Sequence, residues 1–297
     1  MMNRLVFDME ISVPADDKSE KSEQALAGPS FAKLEPRPGY GFANYNTVFK
    51  AREESAEMTL ETVLERVRRE GLAGGILIST SNDAVSRAIQ AFDDIPGDYF
   101  GFAKLNPYDG MRGVEELERL VREEGFKGFS VGPLYSQLEV SHRKYYPFYA
   151  KCVELNIPVR LYTAMSYAND RPYDLAHPRY IDTVAVDFPE LRIIAGLAGW
   201  PWVPDMMALV RRHPNLYLDT AAHRPRHFAK PGSGWEHLLG QGSTVASDKI
   251  AVGLSTYLLG MSAEQVVAEY EELGVPQKVL HKWFYENAAR IFDLDVS

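Results

Sequence analysis

The chain has 297 residues and a formal net charge of −9, with 45% apolar and 25% charged residues. This length suits one barrel-type domain as well as two domains, because barrels of alternating strands and helices run to about 250 residues and more. An acidic chain without a concentrated basic face argues against nucleic acid or anionic lipid as partners. The first residues lack a signal-type apolar run, and no stretch approaches the roughly 18 apolar residues of a membrane span, so we expect a cytoplasmic protein without a membrane partner.

Short β-branched or aromatic runs alternate along the chain with amphipathic helical runs. The predicted strands are 4–8, 75–79, 99–105, 126–131, 157–163, 191–197, 215–221 and 249–255. The predicted helices between them are 60–70, 86–94, 115–124, 145–155, 179–188 and 203–213. Eight such alternations favour the α/β class and a single (β/α)8 TIM-type barrel over residues 1–297, with an open doubly wound sheet as the alternative.

Two segments interrupt this alternation, at about 14–27 and 36–52. The first is polar and poor in large apolar residues, so we expect a mobile loop after the first strand. The second is rich in glycine, proline and aromatic residues, which predicts an ordered, lid-like loop over the barrel mouth. Tyr45 in this loop is a candidate substrate-binding residue. The alternative is that the aromatic side chains only pack the loop onto the barrel rim.

Several segments resemble the strands that carry metal ligands in the amidohydrolase superfamily. FDMEIS (7–12) resembles I-D-x-H-x-H, IPVRLYTA (157–164) resembles P-V-x-x-H-T-G, PELRIIAGLAGWPW (189–202) resembles a strand-six segment close to LKIIAGHIGWPW, and DKIAVGLSTYLLG (248–260) resembles D-K-V-x-F-G-T-D-Y-P. The closing WFYENAARIFDLD (283–295) is similar to the family's last helix. The chain most resembles the amidohydrolase-2 branch, the aminocarboxymuconate-semialdehyde decarboxylase-like enzymes, which includes decarboxylases of aromatic and muconate-type acids, hydratases and lactonases.

All five positions at which the resemblance implies metal ligands are substituted. Glu10, Ser12, Tyr162 and Leu197 stand where the family has histidines, and Ser255 stands where it has an aspartate. We therefore predict that the protein uses no metal and no other cofactor. The remaining histidines offer one alternative, a zinc-type site built from rearranged ligands.

That alternative has little sequence support. None of the seven histidines forms a His-x-His pair, and Pro225 between His223 and His227 spoils a regular helical face. Without a metal to lower the pKa of water from about 15.7 to about 7, hydrolysis by a metal hydroxide is not expected. Acid–base groups alone can still drive proton transfer at carbon, decarboxylation, hydration or dehydration, retro-aldol cleavage, or the opening of an activated lactone or ester.

We predict a set of proton-handling side chains at the barrel mouth. The candidate catalytic residues are Glu10, Tyr162, His223 and Ser255. The resemblance points Glu10 and Arg160 into the barrel, so Glu10 either moves a proton or only forms an ion pair with Arg160. His223 is the candidate proton shuttle near neutral pH. The alternative for Tyr162 is packing, and the alternative for Ser255 is to fill the space of the missing metal.

The candidate substrate-binding residues are Ser12, Tyr45, Arg160, His177, Leu197, Trp200 and Trp202. Arg160, the segment from His177 to Arg179, and the segment 223–227 with its two arginines are candidates for an anion site, against surface solvation as the alternative for the arginines outside strand five. The two tryptophans either pack at the end of strand six or stack on a planar ligand, and Leu197 shapes an apolar wall.

Two functions follow from these patterns. The first is a metal-independent enzyme that acts by acid–base catalysis on a small cyclic, conjugated or aromatic compound, as a lyase such as a decarboxylase or dehydratase, or as a lactone or ester hydrolase. The second is a non-catalytic pseudoenzyme that binds a small molecule or a partner protein. The substitutions at the ligand positions are mostly polar and proton-active, which favours the enzyme. The resemblance further implies a carboxylated or phenolic substrate and a homo-oligomer.

Overall fold

The computed structural model describes residues 4–15 and 58–294, and eight parallel strands follow one another around a single sheet in sequence order. The strands are β1 Phe7–Ser12, β2 Gly74–Ile78, β3 Asp98–Lys104, β4 Phe126–Val131, β5 Val159–Tyr162, β6 Ile193–Gly196, β7 Leu216–Asp219 and β8 Ile250–Ala251. The Met9 N–H donates to the carbonyl of Val252, just after β8, at 3.0 Å, so the first and last strands meet. The predicted (β/α)8 barrel is confirmed.

Helices follow most of the strands. The α-helices of the described residues are α1 Leu60–Glu70, α2 Asn82–Phe92, α3 Met111–Glu123, α4 Pro133–Ser136, α5 Tyr146–Glu154, α6 Pro178–Asp187, α7 Val203–Arg212, α8 Glu236–Gly242, α9 Thr256–Leu259, α10 Ala263–Glu271, α11 Gln277–His281 and α12 Asn287–Phe292. Short 3-10 turns lie at Pro107–Asp109, Leu197–Gly199 and Pro225–His227, and a π-helical turn at Lys282–Glu286 leads into α12. In this part of the chain, none of the helices has the length and apolar character needed to cross a bilayer.

The first described helix shows how local sequence fixes an element. The Thr59 hydroxyl accepts a hydrogen bond from the Thr62 N–H, and the Thr62 hydroxyl accepts one from the Thr59 N–H, which forms a capping box at the start of α1. At the other end Gly71 adopts φ 63° and donates its N–H to the Val67 carbonyl. A residue with this left-handed backbone conformation often ends a helix, and glycine adopts it with the smallest steric penalty.

The core has two layers, which determine where the mouth of the barrel lies. One layer fills the space between strands and helices, and the other fills the barrel interior around Phe7, Phe100 and Phe102. The Phe292 ring from α12 packs against these three rings at centroid distances of 5.4, 4.8 and 6.0 Å. Because Phe7 and Phe100 lie near the starts of their strands, α12 closes the amino end of the barrel. The opposite end, at the carboxyl ends of the strands, is where such barrels carry their sites.

Candidate functional site at the barrel mouth

A row of polar side chains crosses the inner wall at the carboxyl ends of β3, β4 and β5. Lys104 pairs in register with Ser130, and Ser130 pairs with Arg160. Phe129 and Leu161, one residue before Ser130 and one after Arg160, pack in the outer core layer. Since side chains alternate along a strand, Ser130 and Arg160 point into the barrel.

Arg160 is clamped between two carboxylates. Its Nε donates to Asp219 Oδ2 at 2.7 Å, and its Nη2 donates to Glu10 Oε2 at 2.8 Å and to Asp219 Oδ1 at 3.2 Å. Burial opposes the charged guanidinium, but Asp219 and Glu10 outweigh that effect and raise the pKa of Arg160. Gly196 on β6 makes this approach possible, because a Cβ there would lie 3.1 Å from the guanidinium carbon. Glu10 and Arg160 thus form the ion pair that we considered as one alternative. A role of Glu10 in proton transfer stays a prediction.

The Glu10 carboxylate is fixed from its other side by Ser255. The Ser255 hydroxyl donates to Glu10 Oε1 at 3.1 Å and accepts the Ala222 N–H at 2.8 Å. Ser255 and Ala222 both have positive φ, of 44° and 66°. Such conformations are unfavourable for residues other than glycine and cluster at functional sites. The Glu10 side chain keeps 12% of its surface exposed, so it remains accessible from the mouth.

Asp219 ties the loops after β6 and β7 to the same network. Its fully buried carboxylate accepts the Leu197 N–H and the Ala221 N–H, each at 3.1 Å, in addition to the Arg160 guanidinium. Leu197 is itself buried, with φ 65°, at the first position of its 3-10 turn. Its backbone thus joins the network, and the role of its side chain in shaping an apolar wall stays a prediction.

The Asp8 carboxyl group connects β1 to the segment that follows β8. Its Oδ1 accepts the Glu10 N–H at 2.9 Å and the Leu254 N–H at 2.8 Å. Burial raises the pKa of Asp8 to about 8, against the two hydrogen bonds that lower it. The carboxyl group next to Glu10 is therefore largely protonated at neutral pH.

Ser12 and Tyr162 lie on the inner faces of their strands. Ile11 between Glu10 and Ser12 packs in the outer layer, and Tyr162 follows Arg160 by two residues and pairs in register with Gly196. Both side chains are half-buried. Their roles as a substrate contact and a proton donor stay predictions. Tyr45 lies outside the described residues, as do the 36–52 segment and all of 14–27 except its first two residues.

His223 lies among aromatic rings at the barrel mouth. Its ring lies 4.8 Å from the Trp235 ring and 6.1 Å from the Trp200 ring, and no described residue forms a hydrogen bond with its buried Nε2. Burial lowers the pKa of His223 to about 4. Burial thus opposes the charged form of the His223 ring, which packs in an aromatic wall, and its role as a proton shuttle near neutral pH stays a prediction.

That aromatic wall joins the loops after β5, β6 and β7. Trp200 stacks on Tyr167 at 6.4 Å, and its Nε1 donates to the Ser233 carbonyl at 3.3 Å. Trp202 packs against His177 at 4.7 Å and against Tyr173 at 5.8 Å. Packing, one of the two predicted roles, therefore accounts for both tryptophans, and stacking on a planar ligand stays a prediction.

The structure does not assemble the anion site predicted from the segments after strands five and seven. His177 Nδ1 accepts the Arg179 N–H at 3.1 Å and so caps α6, which occupies its acceptor nitrogen. The Arg179 guanidinium pairs with Asp174, and the Arg224 guanidinium pairs with Glu269. Arg179 is thus paired within its own loop and Arg224 with a residue of α10, while Arg160 is paired with Glu10 and Asp219, so a role of any of them in binding an anion stays a prediction.

Sequence patterns did not single out Asp219 and Lys104. Both are charged residues close to the carboxyl ends of predicted strands, and this is the signal that could have found them. A charged side chain within an apolar strand run is costly to bury, so it points to a partner or a site.

Comparison with known proteins assigns the family. Residues 64–294 match the model of the Amidohydro_2 family, described as Amidohydrolase, and the chain belongs to this family. One curated relative is the 2-keto-4-carboxy-3-hexenedioate hydratase of Sphingobium sp. (strain NBRC 103272 / SYK-6), at 27% identity over 48% of this chain and 51% of the relative. The match thus spans about half of that relative's length.

Solved structures share the fold over nearly the whole chain. The 5-carboxyvanillate decarboxylase of Novosphingobium aromaticivorans, complexed with manganese and 4-hydroxy-3-methoxy-5-nitrobenzoic acid, matches with a TM-score of 0.71 and 15% identity, over 98% of this chain and 97% of that one. An uncharacterized TIM-barrel protein of Bordetella bronchiseptica matches with a TM-score of 0.69 and 20% identity, over 97% and 98%. At these identities the likeness shows the fold.

The residues at the mouth do not fit a divalent metal such as that manganese. The described residues contain no group of three or more histidine, cysteine, aspartate or glutamate side chains arranged to hold a metal. The two carboxylates that face each other, Glu10 and Asp219, already hold the Arg160 guanidinium between them at 2.7 to 3.2 Å. A second cation there would be repelled by the guanidinium and would lose those carboxylate ligands.

Proposed function

We propose that this protein is a metal-independent lyase that uses acid–base catalysis on a small cyclic, conjugated or aromatic acid. The observation that carries this proposal is the accessible Glu10 carboxylate, held in one orientation by Arg160 and Ser255 where a metal does not fit. The relatives support the substrate class, because one is a hydratase of an unsaturated acid and another is a decarboxylase complexed with a hydroxybenzoic acid.

The geometry supports proton transfer at a fixed position. Glu10 accepts a proton from water or from the carbon next to a carbonyl group, and Arg160 and Ser255 hold the carboxylate without taking that proton. Charge then develops on the substrate oxygen. The Tyr162 phenol, on the same face as Arg160 and nearer the mouth, is the donor that we assign to that oxygen.

Tyr162→Phe tests this assignment. We expect turnover to fall by about 10²–10³, the usual cost of removing a positioned donor, while the retained ring preserves packing. The matched control is Tyr146→Phe, which removes a hydroxyl that binds Asp187 on the outside of the barrel and should change turnover less than twofold. The substrate for both is found by screening unsaturated diacids, phenolic acids and lactones for a spectral change.

Two results would overturn the proposal. If Tyr162→Phe and Glu10→Gln both leave turnover within about threefold, the mechanism assigned to the mouth is wrong. Elemental analysis of the active protein should show no stoichiometric zinc, manganese or iron. About one such ion per chain, with activity lost on chelation and restored by metal, would contradict metal independence.

A further inference from the structure

The Arg160 guanidinium has one nitrogen, Nη1, that forms no hydrogen bond with any described residue. Its Nε donates to Asp219, and its Nη2 donates to Asp219 and Glu10, which uses three of the five N–H groups of an arginine. The described residues with a fully buried side-chain nitrogen or oxygen that lacks a partner are Arg66, His223, Trp283 and Asn287. Arg160 is not among them, so Nη1 lies in the 5% of its side chain that remains open to solvent.

The other sides of the guanidinium are occupied, which fixes where Nη1 can bind. Asp219 takes the edge formed by Nε and Nη2, and Glu10 takes the remaining hydrogen of Nη2. Gly196 covers one face, because a Cβ there would lie 3.1 Å from Cζ and 3.2 Å from Nε and Nη2. Nη1 and Nη2 are bonded to the same carbon of a planar group. An oxygen atom bound by Nη1 therefore lies beside the Glu10 carboxylate.

An irregularity in β1 aims Glu10 at the same space. The pairing of β1 with β2 shifts its register between Asp8 and Ile11. Met9 packs in the barrel interior and Ile11 in the outer core layer, and Glu10 between them forms its ion pair with Arg160 inside the mouth. Bulges of this kind redirect a side chain and are common beside active sites. A carboxylate and an unused N–H donor thus share one opening.

The charges of this cluster select the kind of oxygen that Nη1 can bind. Arg160 carries one positive charge, and Glu10 and Asp219 carry two negative charges when both are ionised. A carboxylate placed next to Glu10 would add a third negative charge, and repulsion at such short distances is strong where water is largely excluded. An uncharged carbonyl oxygen accepts a hydrogen bond from Nη1 without that penalty. The cluster therefore favours a ketone over a carboxylate.

We propose that Arg160 Nη1 binds the carbonyl oxygen of a ketone whose neighbouring carbon carries an acidic hydrogen, and that Glu10 removes this hydrogen as a proton. The C–H bond breaks, its electron pair forms the C=C bond of an enolate, and the π pair of the C=O bond moves onto the oxygen. Glu10 becomes neutral as that oxygen becomes negative. One negative charge thus leaves the Nη2 side of the guanidinium and appears on the Nη1 side, so Arg160 stays paired throughout the step.

The inference rests on the proposed function in one respect, because it takes Glu10 as the base. It adds Arg160 as a second donor beside Tyr162, and it identifies the reacting group of the substrate as a ketone with an acidic C–H bond. Such a site interconverts keto and enol forms. This step involves no loss of carbon dioxide or water, so it can be measured on a simple ketone.

Deuterium exchange measures the proton transfer directly. The full-length protein is mixed in deuterium oxide with phenylacetone, a neutral ketone with acidic hydrogens, or with phenylacetate, and the C–H signals next to the carbonyl group are followed by nuclear magnetic resonance. We expect the wild type to accelerate exchange of phenylacetone at least about tenfold over buffer and to leave phenylacetate unchanged. Glu10→Gln should return the rate to that of buffer. Arg160→Lys should reduce the acceleration by about 10² or more, because the ammonium keeps the charge between the carboxylates without the second donor.

Arg192→Lys is the matched control. Arg192 donates to the Ile291 carbonyl of α12, at the amino end of the barrel, so the same replacement there should change exchange less than about twofold. Gly196→Ala decides the question if Arg160→Lys does not fold, because the added Cβ crowds the guanidinium and should slow exchange at least about tenfold. Its control is Gly240→Ala, where an added Cβ meets nothing within 4 Å.

The outcomes separate this inference from the proposed function. Exchange that Glu10→Gln abolishes but Arg160→Lys leaves within about threefold would overturn the role of Arg160 and keep Glu10 as the base. Equal acceleration of both probes, or no acceleration of phenylacetone by the wild type, would overturn the ketone site even if a screened acid turns over. Exchange lost in both variants, combined with no turnover of any screened acid, would support the inference and contradict the proposed lyase.

Discussion

The buried guanidinium of Arg160 is the residue on which the mouth depends. It is 5% exposed, and its two carboxylate partners are 12% and 0% exposed. Transfer of such charges out of water is costly, and their mutual attraction offsets that cost only while all of them are present. The network therefore adds little net stability. Its main effect is to fix the positions of β1, β5 and β7 relative to one another.

Removing Arg160 should be severely destabilising. We expect Arg160→Leu to lower the free energy of unfolding by about 3–5 kcal/mol, because Glu10 and Asp219 would remain buried without a counter-charge. The control Arg212→Leu removes an exposed guanidinium that lies 3.5 Å from Asp182 and should cost less than about 1 kcal/mol. Urea unfolding measures both, and a loss below about 1 kcal/mol for Arg160→Leu would show that the carboxylates do not need this partner.

At this scale the sequence predicted part of the site. Substituted motif positions and side-chain alternation were enough to bring Glu10, Arg160 and Ser255 together. Asp219 escaped because its contact with Arg160 reaches from β7 past Gly196 of β6 to β5, so it depends on the strand order and on the small residue between the two side chains. The environment of His223 was not predicted because its ring is buried against Trp200 from the loop after β6 and against Trp235, twelve residues further along its own loop.

Among the elements, the predicted strands and helices overlap the observed ones but differ from them at their ends. The predicted helix 60–70 agrees with α1, whereas α2 starts at Asn82, four residues before the predicted 86, because Ser81 caps it. The predicted strand 4–8 ends early, since β1 extends to Ser12 through residues that are polar in sequence. Asp8 and Glu10 are tolerated inside the strand because each has partners that only the folded barrel supplies.

The last helix should contribute strongly to stability through one side chain. Phe292 is 8% exposed and packs on three rings of the barrel interior, so Phe292→Ala should lower the free energy of unfolding by about 3–5 kcal/mol. Val245→Ala, at a side chain with 65% exposure, is the control and should change it by less than about 0.5 kcal/mol. Similar thermal midpoints for the two variants would contradict the role of α12 in closing the barrel.

At the scale of the whole molecule, the raised pKa of Asp8 predicts that the free energy of unfolding falls as the pH rises. Its pKa is raised from 3.8 to about 8 on folding, so the folded protein holds this proton more tightly than the unfolded chain does. The resulting stabilisation is complete below pH 3.8 and is lost as the pH rises towards about 8.

Asp8→Asn keeps an oxygen acceptor and removes the titration. The difference in thermal midpoint between wild type and variant should therefore change in favour of the variant from about pH 4 to about pH 8. Melting curves recorded across that interval test this, and a difference that stays constant with pH would show that Asp8 titrates normally.

Contact between Phe7 and Phe292 also limits the order in which the chain can fold. These two rings come from the first and last described elements, so nearly the whole polypeptide must be synthesised before the barrel interior is complete. Until then, the aromatic side chains of β1 and β3 have no cover at the amino end of the ring. Such distant contacts slow folding and leave apolar surface open to aggregation on the ribosome. The closing helix is therefore the element whose arrival ends this exposure, whatever the finished barrel catalyses.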